Sequence, residues 1–420
     1  MRSSRFAAAI IFAHCISSIA NAEEPAWNRF RGPNGSGVSD AKGLPTTWTA
    51  ADYRWTASLP GEGVSSPVVW GDKLFVTAAD DEKLTRSLLC YSTGDGKLLW
   101  SRQESFTAEK KHRQNSYATN TPAVDGDRVY AFWQSREGSQ LKAYDHGGNQ
   151  VWSFDVGPYT SNHGGGISPA VIAGVVALNL NHEGASRMLG VDAATGKQRW
   201  SIPRDVIRAS YSTPCAYVDP SGRELAIFTC WKHGFTAVDP QTGKIVWEKD
   251  DAFDRVDQED KRSIGSPFTA GGVIYGNCGF VGGKKFLTAV RSSASNSAEV
   301  EQLFRIDRNV NHMPTALVYN GLLFLWNDAG IVACAKADTG ETIWTERIGG
   351  KFSSSPICVD GKIYGTSDEG EVIVIAAAKE FLEIGRTQLG EGTSATPAVA
   401  GGTIYFRTRG KLFALGAKGK

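Results

Sequence analysis

Apolar and polar residues alternate along this chain in short runs, and the runs recur at a regular interval. Each unit opens on a proline, usually behind a hydroxyl residue. Examples are "SSPVVWGDKLFVTA" at Pro67, "NTPAVDGDRVYAFW" at Pro122 and "ISPAVIAGVVALNL" at Pro169. Similar openings follow at Pro214, Pro267, Pro314, Pro356 and Pro397, spaced by 41 to 55 residues. Period-two alternation in runs this short predicts strands, and a proline is tolerated where a strand begins. Turn pairs such as Asp125-Gly126, Asp360-Gly361 and Gly401-Gly402 then predict a hairpin to a second strand.

A second signal closes each unit. "CYSTGDGKLLW", "YDHGGNQVW", "VDAATGKQRW", "VDPQTGKIVW" and "AKADTGETIW" each place a Gly four residues before a Trp. The pairs are Gly96 and Trp100, Gly148 and Trp152, Gly196 and Trp200, Gly243 and Trp247, and Gly340 and Trp344. The Gly is expected to turn strand three into strand four, and the Trp to wedge between neighbouring sheets. One buried indole removes roughly 150–250 Å² from water, worth up to about 4–6 kcal/mol. Phe304 and Ile384 are expected to replace the Trp in units five and seven.

Four-stranded units of this length, repeated eight times, predict an all-β fold, an eight-bladed β-propeller of antiparallel blades. The last unit runs out after "KLFALG", while "YRWTASLP" (53–60) near the start is an orphan fourth strand carrying Trp55. Residues 53–59 are therefore expected to complete blade eight and close the ring, which removes exposed sheet edges. The domain reading is a signal peptide over 1–22, an N-terminal extension over 23–52, and one propeller over 53–420.

Composition adds compartment and partners. Arg2 and Arg5 precede a mostly apolar run, Phe6 to Ile19, and Ala20-Asn21-Ala22 is a small-x-small cleavage site. Export to the periplasm or beyond is expected, with cleavage after Ala22. The residues ahead of Cys15 make a poor lipidation site. No later apolar run reaches ~18 residues, so no spanning helix is expected. Loss of Arg2 and Arg5 moves the formal charge from +1 to −1, which argues against nucleic acid. The remaining cysteines, at 90, 215, 230, 278, 334 and 358, lie scattered in strand-like runs and read as small buried hydrophobes. There is no Cys-x-x-Cys, so neither a zinc ribbon nor covalent haem is indicated.

The repeat, with its Ala-x-Asp-x-x-Thr-Gly-Lys-x-x-Trp core, resembles the PQQ-like repeat family of propellers and its tryptophan-docking motif. The resemblance spans nearly all of 23–420. "WNRFRGPNGSGVS" (27–39) is similar to the opening of an exported group of mostly unassigned role. The resemblance implies docking roles for Trp55, Trp100, Trp152, Trp200, Trp247 and Trp344. It also implies two kinds of function. BamB-like members are cofactor-free scaffolds of outer-membrane assembly. Quinoprotein members hold PQQ against adjacent cysteines, with calcium on Glu, Asn and Asp. This chain has no Cys-Cys pair.

Catalytic chemistry is hard to find. No paired carboxylates, Ser-His-Asp set or metal-spaced histidines stand out, so no catalytic or metal residue is assigned. The acidic run Asp250 to Arg262 lacks the Gly and closing Glu of a calcium loop and reads as a solvated connection. The loops that enter each first strand should converge on one mouth of the channel. They carry His112, Arg113, Asn115, Tyr117, Asn120, His163, Arg208, Tyr211, Arg262 and His312. A concave mouth with several cations can take an anion or acidic peptide. Gly164-Gly165-Gly166 lets backbone approach a ligand or forms a tight bend. The residues before the prolines, Ser66, Thr121, Ser168, Thr213, Ser266, Met313, Ser355 and Thr396, form seven hydroxyls in eight; they read as backbone caps or as a ligand ring. The expectation is a monomeric, non-catalytic module binding an envelope protein, peptide or glycan. The alternative is a PQQ- and calcium-dependent alcohol or sugar dehydrogenase.

Overall fold

The computed structural model describes residues 26–206, 208–253, 261–280 and 282–416. The expected leader and most of the acidic run Asp250 to Arg262 lie outside the described residues. Eight four-stranded antiparallel blades make up the propeller. Blade one is Val68–Trp70, Lys73–Asp80, Thr85–Ser92 and Leu98–Ser105, and its neighbours repeat that order. Blade eight takes three strands from the end of the described chain and its outer strand, Trp55–Ser58, from the start. Trp55 pairs antiparallel with Ala414, so two distant parts of the chain share one sheet.

The tryptophans bind blade to blade. In each of six blades the indole Nε1 donates to a group at the strand three to four turn of the next blade. Trp55 reaches Thr93 O, Trp100 reaches His146 O, and Trp152 reaches Ala193 O. Trp200 reaches Pro240 O, Trp247 reaches Ser292 Oγ and Trp344 reaches Ala378 O, all six at 2.8–3.1 Å. Beneath the indole, on strand three, sits a small residue: Cys90, Ala143, Gly190, Ala237, Cys334 or Ala414. Two of the cysteines thus serve as spacers, and all six described cysteines are free and buried.

The recurring Gly of the repeat has a second duty besides its turn. Gly196 has φ +70°, and a Cβ placed there would lie 2.6 Å from the Trp152 ring of the preceding blade. Gly96 on Trp55, Gly148 on Trp100 and Gly243 on Trp200 stand in the same relation, at 2.5–2.7 Å. Backbone chirality and indole packing therefore both demand glycine.

Two positions differ from the sequence expectation. In blade seven the strand register sets Gly385, not Ile384, in the Trp position: the turn from strand three to strand four is one residue longer than in blade six, so Ile384 takes the bulged position just before it. The extension fills the vacancy. Backbone of Thr46 lies against Gly385, and Trp48, buried, stacks on Phe406 of blade eight at 5.3 Å. Trp48 Nε1 donates to Tyr53 Oη at 2.8 Å. In blade six the hydroxyl is Thr315 and the strand-opening residue is Ala316, two residues past Met313 and Pro314. Thr315 is the residue that joins the axial chain of hydrogen bonds.

That chain runs around the axis. The amide of Ser66 donates to Thr121 Oγ1, Thr121 to Ser168 Oγ, Thr213 to Ser266 Oγ and Ser266 to Thr315 Oγ1. Thr315 donates to Ser355 Oγ, Ser355 to Thr396 Oγ1 and Thr396 back to Ser66 Oγ. All seven bonds measure 2.9–3.0 Å. The hydroxyls cap backbone, as expected, but they cap the neighbouring blade.

Residues 26–39 fill the channel. Ala26–Trp27 adds antiparallel to the innermost strand of blade one, and Val38–Ser39 adds parallel to that of blade seven. Between them the segment climbs and returns. Arg29 donates to Pro214 O, and Arg31 to Ala316 O at 3.0 Å and Pro356 O at 3.4 Å. On the descending side Asn34 Nδ2 donates to Ala216 O at 2.8 Å and Thr269 Oγ1 at 3.0 Å. Both guanidinium groups are buried, and loss of water pulls Arg29 down to about 10 and Arg31 to about 9.

Gly196→Ala is expected to destabilise by about 1–3 kcal/mol more than Gly222→Ala, measured by denaturant unfolding. Gly222 has φ +84° and open space around its Cβ, so it reports backbone strain alone. Trp48→Ala is expected to cost about 3–5 kcal/mol in the same assay, as Trp152→Ala should.

Candidate functional site at the channel mouth

The climbing segment turns over at Phe30, between the two arginines that grip the strand-opening carbonyls. Phe30 there becomes a wall of a cavity of about 240 Å³. The hydroxyl belt supplies further wall through Ser66, Thr121, Ser168, Thr213 and Ser266. Above them come the loops that enter blades two to five.

Five of the ten residues expected at the mouth line this cavity together: His112, Asn115, His163, Tyr211 and Arg262. The loop 111–120 and the loop 160–168 are laced to each other. His112 N donates to His163 O at 3.1 Å, and Asn115 Nδ2 donates to His163 O at 2.7 Å and Gly165 O at 2.8 Å. The imidazoles of His112 and His163 stack at 6.0 Å. Gln134 holds the glycine run, its Oε1 accepting from Gly166 N at 2.6 Å and Ile167 N at 3.0 Å. A Cβ on Gly166 would fall 2.8 Å from the Tyr211 ring, so the backbone must come that close. Tyr211 Oη donates to Gly164 O at 3.1 Å. The run therefore packs tightly on protein groups of two neighbouring loops.

The other five are placed differently. Tyr117 and Asn120 line a small cleft beside the mouth. Tyr117 Oη donates to Glu109 O at 2.6 Å, and buried Asn120 donates to Gln134 Oε1 at 2.7 Å. Arg113 is exposed and takes no part in either lining. Arg208 lies near enough for its charge to lower the pKa of His163. His312 is buried, its backbone amide bonded to Asp328 Oδ2 at 2.8 Å and its Nδ1 without a partner among the described residues.

Burial, then Arg262 and His112, pull the His163 pKa below its ordinary value. Burial pulls His312 down to about 4, partly opposed by Asp328. The lining also holds Val64, Ile264 and Met313, which periodicity could not single out, and among the described residues it holds no carboxylate. Among the described residues no group of three His, Cys, Asp or Glu could hold a metal. A calcium-bound quinone needs anionic oxygen donors, and the described lining residues do not fit it.

His312 gives a pH prediction. Its folded pKa lies below the unfolded 6.5, so the neutral ring stabilises the fold fully above about 6.5. That contribution is lost as pH falls from there through about 4. The unfolding midpoint of wild type is expected to drop between pH 7 and pH 5 by more than that of His312→Gln, measured by urea titration at both values.

The family profile described as outer membrane protein assembly factor BamB matches residues 38–136, 85–216, 137–304 and 236–420. Comparison of the sequence with curated proteins finds no match. BamB from Moraxella catarrhalis is similar in structure, with a TM-score of 0.63 at 15% identity, covering 88% of this chain and 99% of that one. Quinohemoprotein alcohol dehydrogenase from Comamonas testosteroni also scores 0.63, at 14% identity, covering 96% and 82%. The computationally designed protein Ika8 scores 0.59 at 10% identity, covering 87% and 99%. At these identities the solved structures speak for the fold alone. With its repeats matched from residue 38 to residue 420, this chain belongs to the BamB-type PQQ-like repeat family.

Proposed function

We propose that this protein is an exported binding or scaffolding module of the cell envelope, with the channel mouth as part of its contact surface. The observation that carries the reading is the filled channel: Phe30 of the chain's own N-terminal segment walls the mouth, and among the described residues no carboxylate lines it. A quinone dehydrogenase needs a cofactor cradle there, and four of the five belt hydroxyls that line the mouth, Ser66, Thr121, Ser168 and Ser266, already accept a backbone amide. The basic start, apolar run and small-x-small site of residues 1–22 support export to the periplasm. No described helix is long and apolar enough to cross a membrane. The BamB description of the family supports a protein partner; a peptide or glycan partner and a monomeric state belong to the proposal.

The quinone dehydrogenase reading draws support from an equally similar fold. Titration with PQQ and calcium, followed by dye-linked oxidation of alcohols and sugars, separates the two. No saturable quinone binding and no turnover are expected, together with a reproducible envelope partner in crosslinked pull-downs. Tight quinone binding with turnover would replace the scaffold reading by the enzyme.

A further inference from the structure

We propose that the mouth cavity recognises a monocarboxylate carried on a short apolar chain. This rests on the binding-module reading and names the chemistry of its ligand.

The cavity has two kinds of wall. Phe30, Val64, Ile264 and Met313 give it an apolar share that water wets poorly. Arg262 supplies charge, and Arg262, His112 and His163 supply nitrogen groups for hydrogen bonds. Among the described residues Arg262 makes no side-chain ion pair, although its backbone is fixed by pairing with Gly279 in both directions. A guanidinium so placed keeps its fork of donors available for a planar carboxylate. His163 lines the same cavity and, among the described residues, leaves Nδ1 buried without a partner, an atom that a bound acid could satisfy. Among the described residues no lining carboxylate competes for these donors.

Size and depth narrow the choice. A volume of about 240 Å³ is small for a ligand site and suits a chain of a few carbons, not a folded element or a sugar polymer. Depth is set by Phe30, because the plug turns over at that residue and the arginines on either side anchor it to blades four, six and seven. Phe30 is thus the residue that decides how long an apolar chain the cavity admits. Two sources carry this chemistry, a free acid and the C-terminus of a peptide ending in an apolar residue.

Isothermal titration of the mature chain with hexanoate, hexanol and hexylamine tests the chemistry. Hexanoate is expected to bind at least about tenfold more tightly than the other two, since a charged hydrogen-bonded pair is lost with either. Arg262→Gln should remove that preference by a similar factor while leaving the melting temperature unchanged. Phe30→Ala should weaken hexanoate and tighten decanoate, moving the preferred chain length upwards. A peptide ending in Leu, tested with free and amidated C-terminus, tells the two sources apart. Loss on amidation assigns a chain terminus, and binding of hexanoate without either peptide assigns a free acid. Equal binding of hexanol and hexanoate, no binding of any probe, or an unaltered preference in Arg262→Gln would each overturn the proposal. In those cases an envelope partner would still uphold the binding module, whereas quinone turnover would remove both.

Discussion

The fold depends on how an indole meets a glycine of the next blade. Each docked Trp lies across a strand partner too small to obstruct it and spends its Nε1 hydrogen on the neighbouring turn. The turn Gly lets that ring come within contact of the backbone. A four-stranded blade cannot bury both faces alone, so this contact is what turns eight marginal sheets into one cooperative body. Because every link joins a blade to its successor, the circle holds only if the last blade also meets the first. Trp55 makes that join by donating to Thr93.

A second circle lies at the axis. Backbone amides of the hydroxyl residues just ahead of the first strands donate to hydroxyls of the adjacent blade, so short side chains do near the centre what indoles do at the rim. The channel inside is then sealed by residues 26–39. Arg29 and Arg31 are buried there on carbonyl oxygens, and their desolvation is offset by several hydrogen bonds to strand ends on blades four, six and seven. The same segment goes on to put Trp48 where blade seven lacks its own wedge. One stretch of chain therefore plugs the centre, repairs a weak seam and delivers the closing strand.

The mouth inherits its chemistry from this arrangement. Loops from successive blades meet over the plug, and the plug contributes the apolar wall. His112 and His163, far apart in the chain, come together because the loops into blades two and three are adjacent and share hydrogen bonds. Half of the mouth residues expected from loop position do line the cavity. Asn120 and His312 do not, because each is buried behind the mouth on partners of its own blade or the next.

Period-two alternation, strand-opening prolines and the Gly-x-x-x-Trp spacing were enough to count the blades, because these are local signals that every blade must repeat. The closing strand was legible for the same reason: a unit lacking its fourth strand and an orphan bearing a Trp are visible in one dimension. Register was not. Whether Ile384 or Gly385 faces the seam turns on one extra residue in the preceding turn, and whether Met313 or Thr315 joins the axial belt turns on where blade six begins. Nor does a run such as "WNRFRGPNGSGVS" announce what it fills, since its partners are carbonyls and rings supplied by five different blades. Local pattern determines which units form; only their closure into a ring decides what stands opposite what, because those contacts join residues hundreds of positions apart.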